Sequence, residues 1–80
     1  MEQYIGEIKL FPYGFQPEGW MLCDGRILEI HQHRVLYALI GNKFGGYGIT
    51  TFALPDLRGT EAIKGMNYYI AYEGLFPTKN

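Results

Sequence analysis

Thr50-Thr51-Phe52-Ala53-Leu54-Pro55-Asp56-Leu57-Arg58-Gly59 is the stretch on which the fold of this chain turns. β-branched and aromatic residues at 50–52 favour extended backbone. Pro55 pushes Leu54 the same way, because its ring crowds the helical conformation of the residue before it. Asp56-Leu57-Arg58-Gly59 then reads as a turn. A guanidinium can pin loop carbonyls or a carboxylate through several bonds, so Asp56 and Arg58 are expected to be structural.

Upstream, Phe44-Gly45-Gly46-Tyr47-Gly48 must be irregular, with glycines free to take positive φ. A phosphate-cradling loop would need Gly-Lys-Ser/Thr opening a helix, and this segment runs into Ile49-Thr50-Thr51 instead. Before it, Val35, Leu36, Leu39 and Ile40 form a stripe at helical spacing, and Gly41 sits where a left-handed cap belongs. The spacing predicts one helix over 31–40.

Further upstream, Tyr4 to Phe11 alternates imperfectly, with Gly6 a candidate bulge, and reads as an edge strand. Residues 12–19 are a loop whose prolines cannot donate ladder hydrogen bonds. Trp20-Met21-Leu22-Cys23 reads as a short buried strand anchored by Trp20. Asp24-Gly25 signals a two-residue hairpin turn, with Asp24 accepting backbone N–H bonds and Arg26-Ile27-Leu28 returning. Downstream, Tyr68 to Tyr72 is rich in β-formers, and the apolar tail from Glu73 to Asn80 is expected to dock. The expectation is an α+β fold: one small domain over 1–80, with short antiparallel strands, one helix and Gly-rich loops.

The chain has 80 residues, 48% of them hydrophobic and 16% aromatic, which is too apolar for disorder. A domain this small buries only about 60–65% of the surface of its unfolded chain. Cys23 is the single cysteine, so no internal disulfide can form. Self-association is then the leading way to add burial. The seven Tyr and five Phe either build a core of large rings or meet another copy or a ligand. Net charge is −1 with Lys and Arg scattered, which sets nucleic acid aside. No apolar run is long enough to cross a membrane. Met1-Glu2-Gln3 does not open a secretory signal, so a host cytoplasm is one expected location.

Chemistry finds few footholds. The chain has no Ser, and Cys23 beside Asp24 has its thiol pKa raised by the neighbouring carboxylate. No enzyme and no cofactor are expected. His31-Gln32-His33 is a weak metal candidate, since side chains two apart at a helix start point in different directions. Tyr47, Tyr68, Tyr69 and Tyr72, with Thr50 and Arg58 supplying polar contacts, form either a subunit interface or a stacking face for a sugar or nucleotide. The interface is favoured, because so short a chain gains most from extra burial.

Three blocks in order, Ile5-Gly6-Glu7-Ile8 leading to Gly19-Trp20-Met21-Leu22-Cys23-Asp24-Gly25, then Leu39-Ile40-Gly41 with Phe44-Gly45-Gly46, then Thr50 to Gly59, resemble the phage tail collar domain. That domain occurs in short tail fibres and in the microcystin-dependent protein family. The resemblance covers 4–59, and residues 67–80 resemble the closing strand of the latter family. Only Thr60 to Met66 stand where that family carries a long variable region. The resemblance implies a structural, homo-oligomeric part of a phage tail or tail-derived particle, trimeric by analogy, meeting other tail proteins. A soluble oligomeric module that binds a small ligand or a host protein is the alternative. Two departures stand out: Tyr47 replaces an acidic or amide residue, and His31 replaces a helix-capping Ser.

Overall fold

The computed structural model describes residues 3–78. Strand β1 (Ile8–Phe11), β2 (Trp20–Leu22), β3 (Ile27–Glu29), helix α1 (Arg34–Ile40), β4 (Thr51–Ala53) and β5 (Asn67–Ala71) follow in chain order. They build two antiparallel sheets, a three-stranded one in the order β1-β5-β2 and a two-stranded one of β3 and β4. The α+β expectation holds at this level, as does the edge position of the first strand.

The last strand is the central one. β5 sits between β1 (Ile8 opposite Ile70) and β2 (Met21 opposite Ile70), so the chain's two ends close one sheet. Successive side chains of a strand alternate between faces. Ile70, with half-buried Tyr68 and Tyr72, faces a core of Met21, Cys23, Leu36, Phe52 and Leu54. Tyr69 and Ala71 face the other way, onto Trp20, Phe11 and Leu22. Trp20 is buried as expected, yet it anchors this second cluster and not the main core. The centre belongs to Phe52 and Leu54, both 0% exposed.

Asp24-Gly25 does not make a hairpin. A two-residue turn would fold residues 26–28 back onto 20–23, but the Cys23 N–H donates to the Tyr68 carbonyl and the Cys23 carbonyl accepts from Leu57, both at 3.0 Å. Each strand has found a partner elsewhere, β2 with β5 and β3 with β4, so residues 23–26 cross from one sheet to the other.

The helix also begins later than its apolar stripe implies. A single 3₁₀ turn (Ile30–Gln32) precedes it, and His33 occupies the cap position of α1 without a side-chain hydrogen bond. His31 therefore lies in the 3₁₀ turn and caps nothing. Leu36 is buried and Leu39 and Ile40 half-buried, whereas Val35 is 42% exposed. At its end Gly41 takes φ of +63° and its N–H closes on Tyr37.

The first expected strand is shorter than its alternation. Residues 4–7 form a tight turn closed by Glu7 N–H to the Tyr4 carbonyl at 3.0 Å, with Gly6 at φ +90°. Positive φ at the third turn position calls for glycine. The Glu7 carboxylate accepts from the Tyr4 N–H and pairs with Lys9, and its pKa is lowered for those reasons in that order. Leu75 joins here, donating to the Gln3 carbonyl and accepting from Ile5. The tail docks by its backbone; Leu75 and Phe76 keep their side chains about half exposed. Lys79 and Asn80 of the expected closing segment lie outside the described residues.

Candidate interaction surface

The crossover between the sheets carries twin ion pairs. Asp24 and Asp56 face one another across an isolated antiparallel bridge, framed by Gly25 N–H to Pro55 and Leu57 N–H to Cys23. Each carboxylate is gripped by the arginine two residues on. Arg26 donates Nε at 3.0 Å and Nη2 at 3.1 Å to Asp24, and Arg58 donates both at 2.8 Å to Asp56. The backbone N–H of each arginine adds a bond to the same carboxylate. Two anions thus stand side by side because a two-pronged cation answers each. The sequence marks Asp24 only as an acceptor of backbone N–H bonds and supplies no reason to expect it beside Asp56; the repeated Asp-x-Arg spacing is the available clue.

These bonds hold the Asp24 carboxyl below its ordinary value of 3.8, and hold Asp56 down to about 2, the arginine side-chain bonds being the largest cause in both. A depressed folded-state pKa means that the unfolded chain takes up protons first. The stabilisation is complete above about pH 4 and is lost as pH falls through the folded values toward 2. Urea unfolding at pH 6 and at pH 2.5 should show a lower midpoint in acid. An Asp24→Asn/Asp56→Asn double variant should flatten that fall; an equal acid loss in the variant would assign it to other carboxyls.

The expected functional residues do not converge. Tyr47 is 83% exposed on the glycine loop, Tyr69 is buried with its hydroxyl donating to the Tyr13 carbonyl at 3.2 Å, and Tyr68 and Tyr72 pack against the main core. Because Tyr69 points to the opposite face of β5 from Tyr68 and Tyr72, the four cannot form one stacking face. Arg58 is engaged by Asp56. Thr50 lines a shallow cavity of about 180 Å³ with Ile30, His31, Arg34 and Ile49. His33 lines a different one, of about 410 Å³, where its ring meets Tyr72 edge-on at 5.8 Å and burial lowers its pKa. His31 instead lies 3.5 Å from Glu29. Among the described residues no three metal-ligating side chains come together. Cys23 is 1% exposed, and burial first, then Asp24, pushes its thiol up to about 11.

What the structure does gather is exposed apolar surface of two shapes. The first is convex. The loop from Asn42 to Thr51 is braced by Gly45 N–H to Asn42, Ala53 N–H to Gly45, Gly48 N–H to Thr51, and Tyr47 N–H to the Thr51 hydroxyl. The Tyr37 hydroxyl also donates to the Gly48 carbonyl at 3.1 Å. From this fixed loop Tyr47 and Ile49 stand 83% and 84% exposed, with Phe44 at 45% beneath the Lys43 ammonium. The second is concave. Leu39, Phe76, Pro77 and Thr78 line a groove of about 620 Å³ beside α1. Tyr4, Val35 and Leu75 are exposed in the neighbouring elements. The sequence reading singled out Tyr47 but missed Ile49, Leu39 and Phe76; an isoleucine directly after a glycine loop was the available clue.

A third apolar feature is closed on itself. Phe11, Tyr13 and Phe15 stack in a row at 5.5 and 5.2 Å between ring centres, with Phe11 edge-on to Trp20. Phe11 packs this ladder onto the second cluster, and exposure rises outward along it, from Tyr13 at 42% to Phe15 at 66%.

A family model described as the Phage Tail Collar Domain matches residues 6–62. Protein RhiB of Rhizobium leguminosarum bv. viciae is 43% identical over 47 residues, a match covering 55% of this chain and 22% of RhiB. The chain therefore matches about a fifth of the length of that curated relative. No solved structure matches. With the family match spanning well over half of its length, the chain belongs to the phage tail collar domain family.

Proposed function

We propose that this protein is a non-enzymatic structural module that self-associates within a phage tail or a tail-derived particle. The observation that carries the reading is the apolar surface left uncovered. Twelve large hydrophobic residues among those described are at least 40% exposed, from Ile8 at 40% to Ile49 at 84%. Six of them are aromatic, and burying one ring removes about 150–250 Å² from water. One side of a standard interface buries about 800 Å². The family supports a tail-type structural role, and a tail collar domain fits a virion tail. No helix among the described residues is long and apolar enough to cross a membrane. Tyr68, Tyr69 and Tyr72 are divided between the two faces of β5 and packed on the two clusters. This sets them aside both as a small-ligand site and as the subunit interface expected of them, so the exposed surface that carries this reading lies elsewhere.

Sedimentation velocity at micromolar protein tests the reading. The expected result is a stable oligomer whose fraction falls on dilution. A single species at the 9.2 kDa monomer mass across that range would overturn it.

A further inference from the structure

The convex loop and the concave groove lie on opposite sides of α1. Tyr37 reaches the loop through its hydroxyl, while Leu39 faces the groove and the turn at Gly6, where an added Cβ would lie 3.8 Å from its Cδ1. Residues two apart on a helix point about 200° from one another. A copy's own loop therefore cannot fill its own groove, and two protruding loops cannot fill one another.

The geometry points to head-to-tail association, in which Tyr47 and Ile49 of one copy seat in the groove formed by Leu39, Phe76 and Pro77 of the next. The occupant is a second copy of this chain, and the inference rests on the self-association proposed above. Shape supports it: a groove of about 620 Å³ has room for both side chains of a braced, protruding loop. Rigid anchors lose little conformational freedom on docking, which is what makes an aromatic residue on a fixed loop a strong contact. Charge supports it as well. Lys43 rides on Phe44 at the base of the loop, and Glu73, three residues before Phe76 of the groove, lines a separate cavity together with Arg34. Among the described residues neither has an ion-pair partner within its own chain. A contact between unlike patches propagates from copy to copy and closes into a ring where the rotation permits.

Complementation by mixing tests this. Tyr47→Glu disables the loop and Phe76→Glu the groove, and both side chains are more than half exposed, so each variant should keep the parent's circular dichroism and unfolding midpoint. Ile49→Asp serves as a second loop variant. Alone, each should weaken association at least tenfold. Mixed in equal amounts, Tyr47→Glu and Phe76→Glu should form a one-to-one heterodimer, because one sound loop then meets one sound groove. A mixture no more associated than its components overturns the head-to-tail arrangement, as do single variants that oligomerise like the parent. In both of those outcomes self-association itself stands, whereas a monomeric parent removes both.

Discussion

Gly46→Ala should remove a large part of the chain's stability, lowering the urea midpoint sharply. A Cβ built at Gly46 would lie 2.5 Å from the Phe52 Cα and 2.9 Å from its carbonyl carbon and nitrogen. These are backbone atoms of β4, held in register by Leu28 and by the bond from Ala53 N–H to the Gly45 carbonyl. They cannot swing aside as the end of a side chain could. Gly46 also sits at φ +86°, a conformation that costs a residue with a Cβ roughly 1–2 kcal/mol even in open space. Overpacking adds about 1–3 kcal/mol or more. The combined loss, about 2–5 kcal/mol or more, is a large part of the total stability of about 4–12 kcal/mol expected for 80 residues. Far-UV circular dichroism and urea unfolding measure it directly. Gly41→Ala is the comparison: φ is also positive there, but nothing lies within 4 Å of the added carbon, so only the conformational cost should appear. Equal losses at the two positions would show that the close approach to Phe52 contributes nothing.

Phe52→Ala is expected to have a similar effect for the opposite reason, by removing mass from a site that cannot collapse. Phe52 is 0% exposed and belongs to the main cluster with Leu36, Leu54, Met21 and Ile70. Its ring meets Tyr37 edge-on at 5.3 Å, so it joins β4 to the helix that braces the loop. Truncating a buried phenylalanine typically costs about 3–5 kcal/mol, because the surroundings relax only partly into the cavity. Urea unfolding at fixed protein concentration should show the midpoint falling by most of its range; the concentration is fixed because association stabilises the folded form. Phe15→Ala removes a ring of the same kind that is 66% exposed, and should move the midpoint far less. A small change at Phe52 would mean that the two sheets are not joined through this residue.

Both substitutions test the connection between β4 and the glycine loop, and that connection was only half visible in the sequence. Residues 44–48 declared irregular backbone, since so many glycines are costly to order unless positive φ is needed. That Gly46 lies against Phe52 follows from the bonds that fold the loop back onto β4, Ala53 N–H to the Gly45 carbonyl and Gly48 N–H to the Thr51 carbonyl, which no local pattern fixes. Asp24-Gly25 shows the same divide. Its local chemistry is legible, with Asp24 accepting the Arg26 N–H and Gly25 at φ +79°. Its topology is not legible, because a bend of the chain can close a hairpin or carry a strand into another sheet. Tyr68, Tyr69 and Tyr72 read alike as β-forming residues. One is buried on the outer face of β5 and two pack on the inner face, since the strand became central with an apolar layer on each side.

By itself the sequence determined what each segment could do locally: which stretches extend, where the backbone must turn through glycine, and, through its motifs, the family to which the chain belongs. The tertiary structure alone decided who pairs with whom. It placed β5 between β1 and β2, set Asp24 against Asp56, moved the core's centre from Trp20 to Phe52, and left Tyr47 and Ile49 in solvent. The physical reason is one of range. Backbone preference acts over a few residues, whereas strand partners and burial are chosen by the hydrophobic surface that distant segments can jointly remove from water.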